Sequence, residues 1–130
     1  MPFNADWSLL IGVICDVLKT KPRMLICSSP SHYSGPAISE KEFRQVLASI
    51  MSEALICFDE AYVEVVESSN RFSDLVILKD SGKPFIVLRT FSKAYGLAGV
   101  RVGFGIMTEP ALITSLMKTR TPIGVSAMAA

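Results

Sequence analysis

Ala54-Leu55-Ile56-Cys57-Phe58 is an unbroken apolar run, and it stops abruptly at Asp59-Glu60-Ala61-Tyr62. Phe85-Ile86-Val87-Leu88 repeats the pattern and ends in Arg89-Thr90-Phe91. Short continuous apolar runs closed by polar residues read as strands covered on both faces, the kind found in parallel sheets. Met24 to Cys27 is a third such run, opening into the turn-forming stretch SSPSHYSGP.

Helical patterns lie between these runs. Ser39 and Glu42 fit a capping box, and Phe43, Val46, Leu47, Ile50 and Met51 follow at the spacing of one helical stripe. Ser73 to Asp80 reads as a short helix closed by Ser81, Gly82 and Pro84, and Ser8 to Leu18 as a further helix. Val100 to Met107 alternates Gly and Arg with apolar residues, which predicts a fourth strand. Thr108 is placed to cap a last helix with Glu109 and Pro110 in its first turn and a stripe of Leu112, Ile113, Leu116 and Met117. Strands alternating with helices predict an α/β fold: a three-layer α/β/α arrangement on a mainly parallel sheet of about four strands, with right-handed crossovers.

Length and composition bound what this fold can be. At 130 residues, with 50% hydrophobic and 19% charged side chains, residues 1–130 read as one globular domain, with no room for a second. Lys+Arg 13 against Asp+Glu 12, scattered along the chain, give no electrostatic reason to expect nucleic acid or an anionic membrane as partner. Cys15, Cys27 and Cys57 all sit in apolar runs and read as reduced core thiols. With His32 the sole histidine and no Cys-x-x-Cys, a zinc site is not expected. The N-terminus lacks the pattern of a signal peptide, and Leu9 to Leu18, interrupted by Asp16, is too short for a membrane span, so a cytoplasmic protein is expected.

In parallel sheets ligands gather beyond the carboxyl ends of the strands. Here those ends carry Ser29 to Gly35, Asp59 to Tyr62, and Thr90 to Arg101, which bring an acid, a phenol, a hydroxyl, a lysine and an arginine to one edge. A lysine near cations or in a desolvated pocket forms a Schiff base with a carbonyl group. Ser92 and Arg101, in a glycine-rich segment, are groups that hold a phosphate. A carbonyl cofactor bearing a phosphate uses both, and pyridoxal 5'-phosphate is such a molecule, its pyridinium nitrogen needing a carboxylate such as Asp59.

LRTFSKAYGLAGVRVGF (Leu88 to Phe104), together with FDEAYVEV (Phe58 to Val65), resembles the fold-type I pyridoxal-phosphate aminotransferases, most of all the histidinol-phosphate aminotransferases. The similarity runs from about Asp6 to the Arg120-Thr121-Pro122 region. By this resemblance Lys93 corresponds to the lysine that condenses with the cofactor and then moves the substrate proton. Asp59 corresponds to the pyridinium partner, Tyr62 to the tyrosine near the phenolate, and Ser92 and Arg101 to the phosphate ligands. The implied reaction transfers an amino group between histidinol phosphate and 2-oxoglutarate in histidine biosynthesis, in a homodimer whose sites borrow residues across the interface. The family's first loop reads Asn-Pro-Thr-Gly, and the matching residues here are His32-Tyr33-Ser34-Gly35. His32 thus stands where the family's asparagine donates to the phenolate oxygen. The family's glycine-rich phosphate turn and its small domain find no match, so the chain is expected to be the central part of the large, cofactor-binding domain. A related decarboxylase of an amino-acid phosphate, and a non-catalytic remnant that serves as an interaction module, are the alternatives.

Overall fold

The computed structural model describes residues 3–68, 71–119 and 124–128. In chain order the elements are α1 (Ile11–Leu18), β1 (Met24–Ser28), α2 (Glu40–Ser49), β2 (Leu55–Asp59), α3 (Asp74–Asp80), β3 (Phe85–Thr90), β4 (Gly103–Met107) and α4 (Pro110–Thr119). The four strands form one sheet in the order β1-β2-β3-β4. Ser28 lies opposite Asp59, and Asp59 opposite Leu88, in two parallel pairings that bring the carboxyl ends of the first three strands together.

The helix over 40–49 starts as its sequence dictates. The Ser39 side chain accepts from the Glu42 N–H while the Glu42 carboxylate accepts from the Ser39 N–H at 2.8 Å, satisfying two otherwise orphaned donors. Phe43, Val46 and Leu47 are buried as the stripe requires. The helix is shorter than the stripe implied, however: Ile50 turns to extended backbone as its C-cap and Met51 lies outside, 38% exposed. The Phe43 and Phe58 rings pack tilted at 41° with centroids 4.9 Å apart, docking α2 onto β2.

The α/β class and the mainly parallel sheet of four strands agree with the sequence, and three features go beyond that reading or correct it. First, β4 runs antiparallel to β3. The intervening segment 91–102 contains only a 3-10 turn over Ala98–Val100 and no α-helix to carry the chain back, so the strand must return alongside its neighbour. It also starts at Gly103, because Arg101 adopts a left-handed φ of 61°. Gly103 is obligatory there, since a Cβ would lie 2.9 Å from the Arg89 carbonyl oxygen. Second, the sheet is covered on one face only among the described residues. Cys27, Ile56, Phe58, Phe85 and Val87 are buried in one core with α1, α2 and α3, whereas Ile26 is 66% and Met24 47% exposed on the other face. The apolar runs hid this alternation because both faces carry apolar side chains, and α1, α2 and α3 all join the core on the same face. Third, Thr108 is not the cap of α4. Proline favours the first helical position, so Pro110 opens the helix and the Glu109 carbonyl accepts from the Ile113 N–H at 3.0 Å. Of the expected stripe of Leu112, Ile113, Leu116 and Met117, the last three are exposed and Leu112 is half-buried, and α4 has no buried residue.

The three cysteines are free. Cys27 is buried, and burial pushes its thiol up to about 11, which keeps it protonated and unreactive. Cys57 departs from the expected core position: it is half-buried, on the uncovered face of β2. No described helix is long and apolar enough to cross a membrane, and no group of three metal-ligating side chains occurs among the described residues.

Candidate functional site

Each of the three parallel strand ends contributes a loop shaped by its own backbone. After β1, the Ser29 N–H donates to the Asp59 carbonyl at 3.0 Å, and Ser29 Oγ accepts from the Ile38 N–H at 2.8 Å, so both ends of the His32 loop are tied down. After β2, Asp59 Oδ1 accepts from the Ala61 N–H at 2.9 Å, turning the chain sharply into Tyr62. Asp59 therefore closes a turn rather than capping an α-helix. After β3, Thr90 Oγ1 accepts from the Ser92 N–H at 3.1 Å, and the Gly96 N–H donates to the Lys93 carbonyl at 2.9 Å. Gly96, with φ of 67°, occupies the left-handed region that this turn requires.

These loops bring two of the predicted side chains, Lys93 and His32, alongside a third, Tyr62. Lys93 Nζ lies 4.9 Å from the centroid of the Tyr62 ring, and the His32 ring stacks with Tyr62 at 6.2 Å and 22°. An ammonium over an electron-rich ring face is an attractive arrangement, and it holds an exposed lysine at the sheet edge. His32 and Lys93 are exposed, while Asp59, Tyr62 and Ser92 are half-buried. Arg101 is not joined to them: its Nη1 donates to the Ala98 carbonyl at 3.0 Å, and no described hydrogen bond or ion pair links it to Ser92 or Lys93. Phe91 packs against Tyr95 and Phe104 at 5.3 and 5.7 Å, a local aromatic cluster beneath the lysine loop.

Two residues without a role in the sequence reading prove central to the edge. Glu60 is 1% exposed, and its Oε2 accepts from Arg89 Nε at 2.7 Å. The signal was present as a second acid after β2 and a basic residue near the end of β3, but nothing in one sequence says that they meet. Asp74, in the first turn of α3, is 6% exposed and its Oδ2 has no hydrogen-bond partner among the described residues. Burial raises its carboxyl above the ordinary 3.8, opposed by the Leu75 N–H and by Arg89. The folded chain therefore binds this proton more tightly than the unfolded chain does. Asp74 adds stability that is fully present below pH 3.8 and lost as the pH rises through the raised value. Asp74→Asn should remove this contribution, seen as a Tm that gains relative to the wild type as the pH goes from acid to neutral.

The family model for aminotransferase class I and II matches residues 1–130. Histidinol-phosphate aminotransferase 1 of Mesorhizobium japonicum is 41% identical over 126 residues, which cover 97% of this chain and 34% of that protein. An aromatic amino acid aminotransferase of Rhodococcus erythropolis is 34% identical over 129 residues, covering 99% of this chain and 35% of that protein. The crystal structure of histidinol-phosphate aminotransferase from Sinorhizobium meliloti, solved in complex with pyridoxal-5'-phosphate, superposes with a TM-score of 0.78 at 26% identity, covering 99% of this chain and 34% of that one. The chain thus spans about a third of the length of the curated relatives it matches. With the mixed sheet, the lysine turn after β3 and the acid turn after β2 in place, the chain belongs to the class I and II aminotransferases.

Proposed function

We propose that residues 1–130 form part of the large domain of a pyridoxal-phosphate-dependent aminotransferase and contain its cofactor-binding centre. The observation that carries this reading is Lys93 Nζ held over Tyr62 at the carboxyl edge of the sheet, beside the turn made by Asp59. The donor set fits the cofactor. Lys93 offers an amine to its aldehyde and Asp59 a carboxylate to its ring nitrogen. Tyr62 and His32 offer donors to its phenolic oxygen, and Ser92 and Arg101 offer a hydroxyl and a guanidinium to its phosphate. When bound, pyridoxal 5'-phosphate supplies an electron sink for the bond broken at the substrate carbon that bears the amino group. Asp59 keeps the ring nitrogen protonated by pairing with it. Lys93 Nζ, once free, carries a proton to and from that carbon as base and acid.

The amino donor in this reading is histidinol phosphate and the acceptor 2-oxoglutarate, a step of histidine biosynthesis, supported by the 41% identity to the Mesorhizobium enzyme. An aromatic amino acid is the second reading, favoured by the Rhodococcus relative. The working enzyme is proposed to be a cytoplasmic homodimer, and three free thiols suit a reducing compartment. Pyridoxal 5'-phosphate added to the purified chain should give a saturable visible absorbance that Lys93→Ala abolishes, with the far-UV circular dichroism unchanged. Equal absorbance in both proteins would contradict the assignment.

A further inference from the structure

The Glu60–Arg89 ion pair lies on the covered face of the sheet, beneath the site. Glu60 follows Asp59 directly, and its N–H donates to the Leu88 carbonyl at 2.9 Å. Arg89 precedes Thr90, whose hydroxyl holds the Ser92 N–H one residue before Lys93. The pair therefore joins the ends of β2 and β3 immediately behind the acid and the lysine. The Glu60 side chain is 2% and the Arg89 side chain 27% exposed. Two well-packed apolar residues would stabilise such a position as well as an ion pair does, because desolvating the charges offsets most of their attraction. What the pair adds is direction: the Arg89 Nε–H reaches one carboxylate oxygen at 2.7 Å and fixes how the two strand ends sit side by side.

We propose that Glu60 and Arg89 are positioning residues that hold the Asp59 turn and the Lys93 turn in fixed relation, a role that rests on the cofactor reading above. Neither residue touches the reacting atoms; both act through the turns they anchor. The pair limits local opening of the strand ends, which amide hydrogen exchange measures without any cofactor.

In Glu60→Gln, the Glu60 and Ala61 amides should exchange about tenfold faster than in wild type, because a charge-assisted bond becomes a neutral one. The Ile56 amide, which donates to the Pro84 carbonyl at the far end of β2, should keep its wild-type protection. Arg89→Lys keeps the cation but loses the Nε–H that sets the direction, and should likewise speed exchange at residues 60 and 61 while Ile56 keeps its protection. Uniform acceleration including Ile56 would mean a merely structural role, and no change at position 61 would equally overturn the proposal. With pyridoxal 5'-phosphate as probe, Glu60→Gln should bind about tenfold more weakly at unchanged Ile56 protection. A wild-type chain that takes up none overturns the cofactor reading, and the exchange pattern then decides the clamp by itself.

Discussion

Phe85→Ala should destabilise the chain by about 3–5 kcal/mol, the largest loss expected from a single core substitution. Phe85 is 0% exposed, opens β3 in register with Ile56, and shares the one core that α1, α2 and α3 make with the sheet. Truncation removes the transfer energy of the ring and leaves a cavity in a core whose other members, Ile56, Leu78 and Val87 among them, are almost fully buried. A domain of this size is stable by roughly 5–15 kcal/mol, so the loss is a large part of the total. Urea denaturation should show a lower midpoint with an unchanged m-value. A shift of under about 1 kcal/mol would mean that the sheet's covered face is not the main core.

Arg89→Met should cost about 3 kcal/mol, because it leaves the Glu60 carboxylate buried without its partner. The double variant Glu60→Met/Arg89→Met should recover most of that loss, since removing both charges leaves nothing unpaired. This pattern separates the charge pair from mere side-chain bulk. If the double variant were as unstable as Arg89→Met, the loss would lie in packing around the arginine stem rather than in the unpaired acid.

The single-sequence reading succeeded where local chemistry decides structure. The Ser39–Glu42 box forms with both hydrogen bonds, and the breaks after Phe58 and Leu88 mark strand ends within two residues. It failed where the outcome depends on what packs against a segment. Met24-Leu25-Ile26-Cys27 is apolar throughout, so nothing in it announces that Ile26 faces outward while Cys27 faces the core. The direction of β4 is set by a connection lacking an α-helix, whose glycines and Arg101 turn the chain without a periodic signal. For α4, the stripe at 112–117 correctly predicts a helix but not its burial, because periodicity reports an apolar face and says nothing about a partner for it.

The site divides the same way. Lys93, Tyr62 and His32 were legible as residues of the strand-end loops, and the fold joins them at 4.9 and 6.2 Å. Arg101 belongs to the same loop by sequence, yet its guanidinium is engaged by the Ala98 carbonyl. Glu60 and Asp74 were invisible as a pair of buried acids around Arg89, because they lie far apart in the chain and on different elements.

Under the proposed cofactor role, Lys93 is the one of the chain's seven lysines that receives the cofactor aldehyde. Peptide mapping after borohydride reduction of a stoichiometric mixture with pyridoxal 5'-phosphate tests this most directly. The mass increase on the peptide containing Lys93 should be well above that on peptides containing Lys19, Lys41, Lys79 or Lys118. Label spread evenly over the exposed lysines, with Lys93 no more modified than the rest, would contradict it.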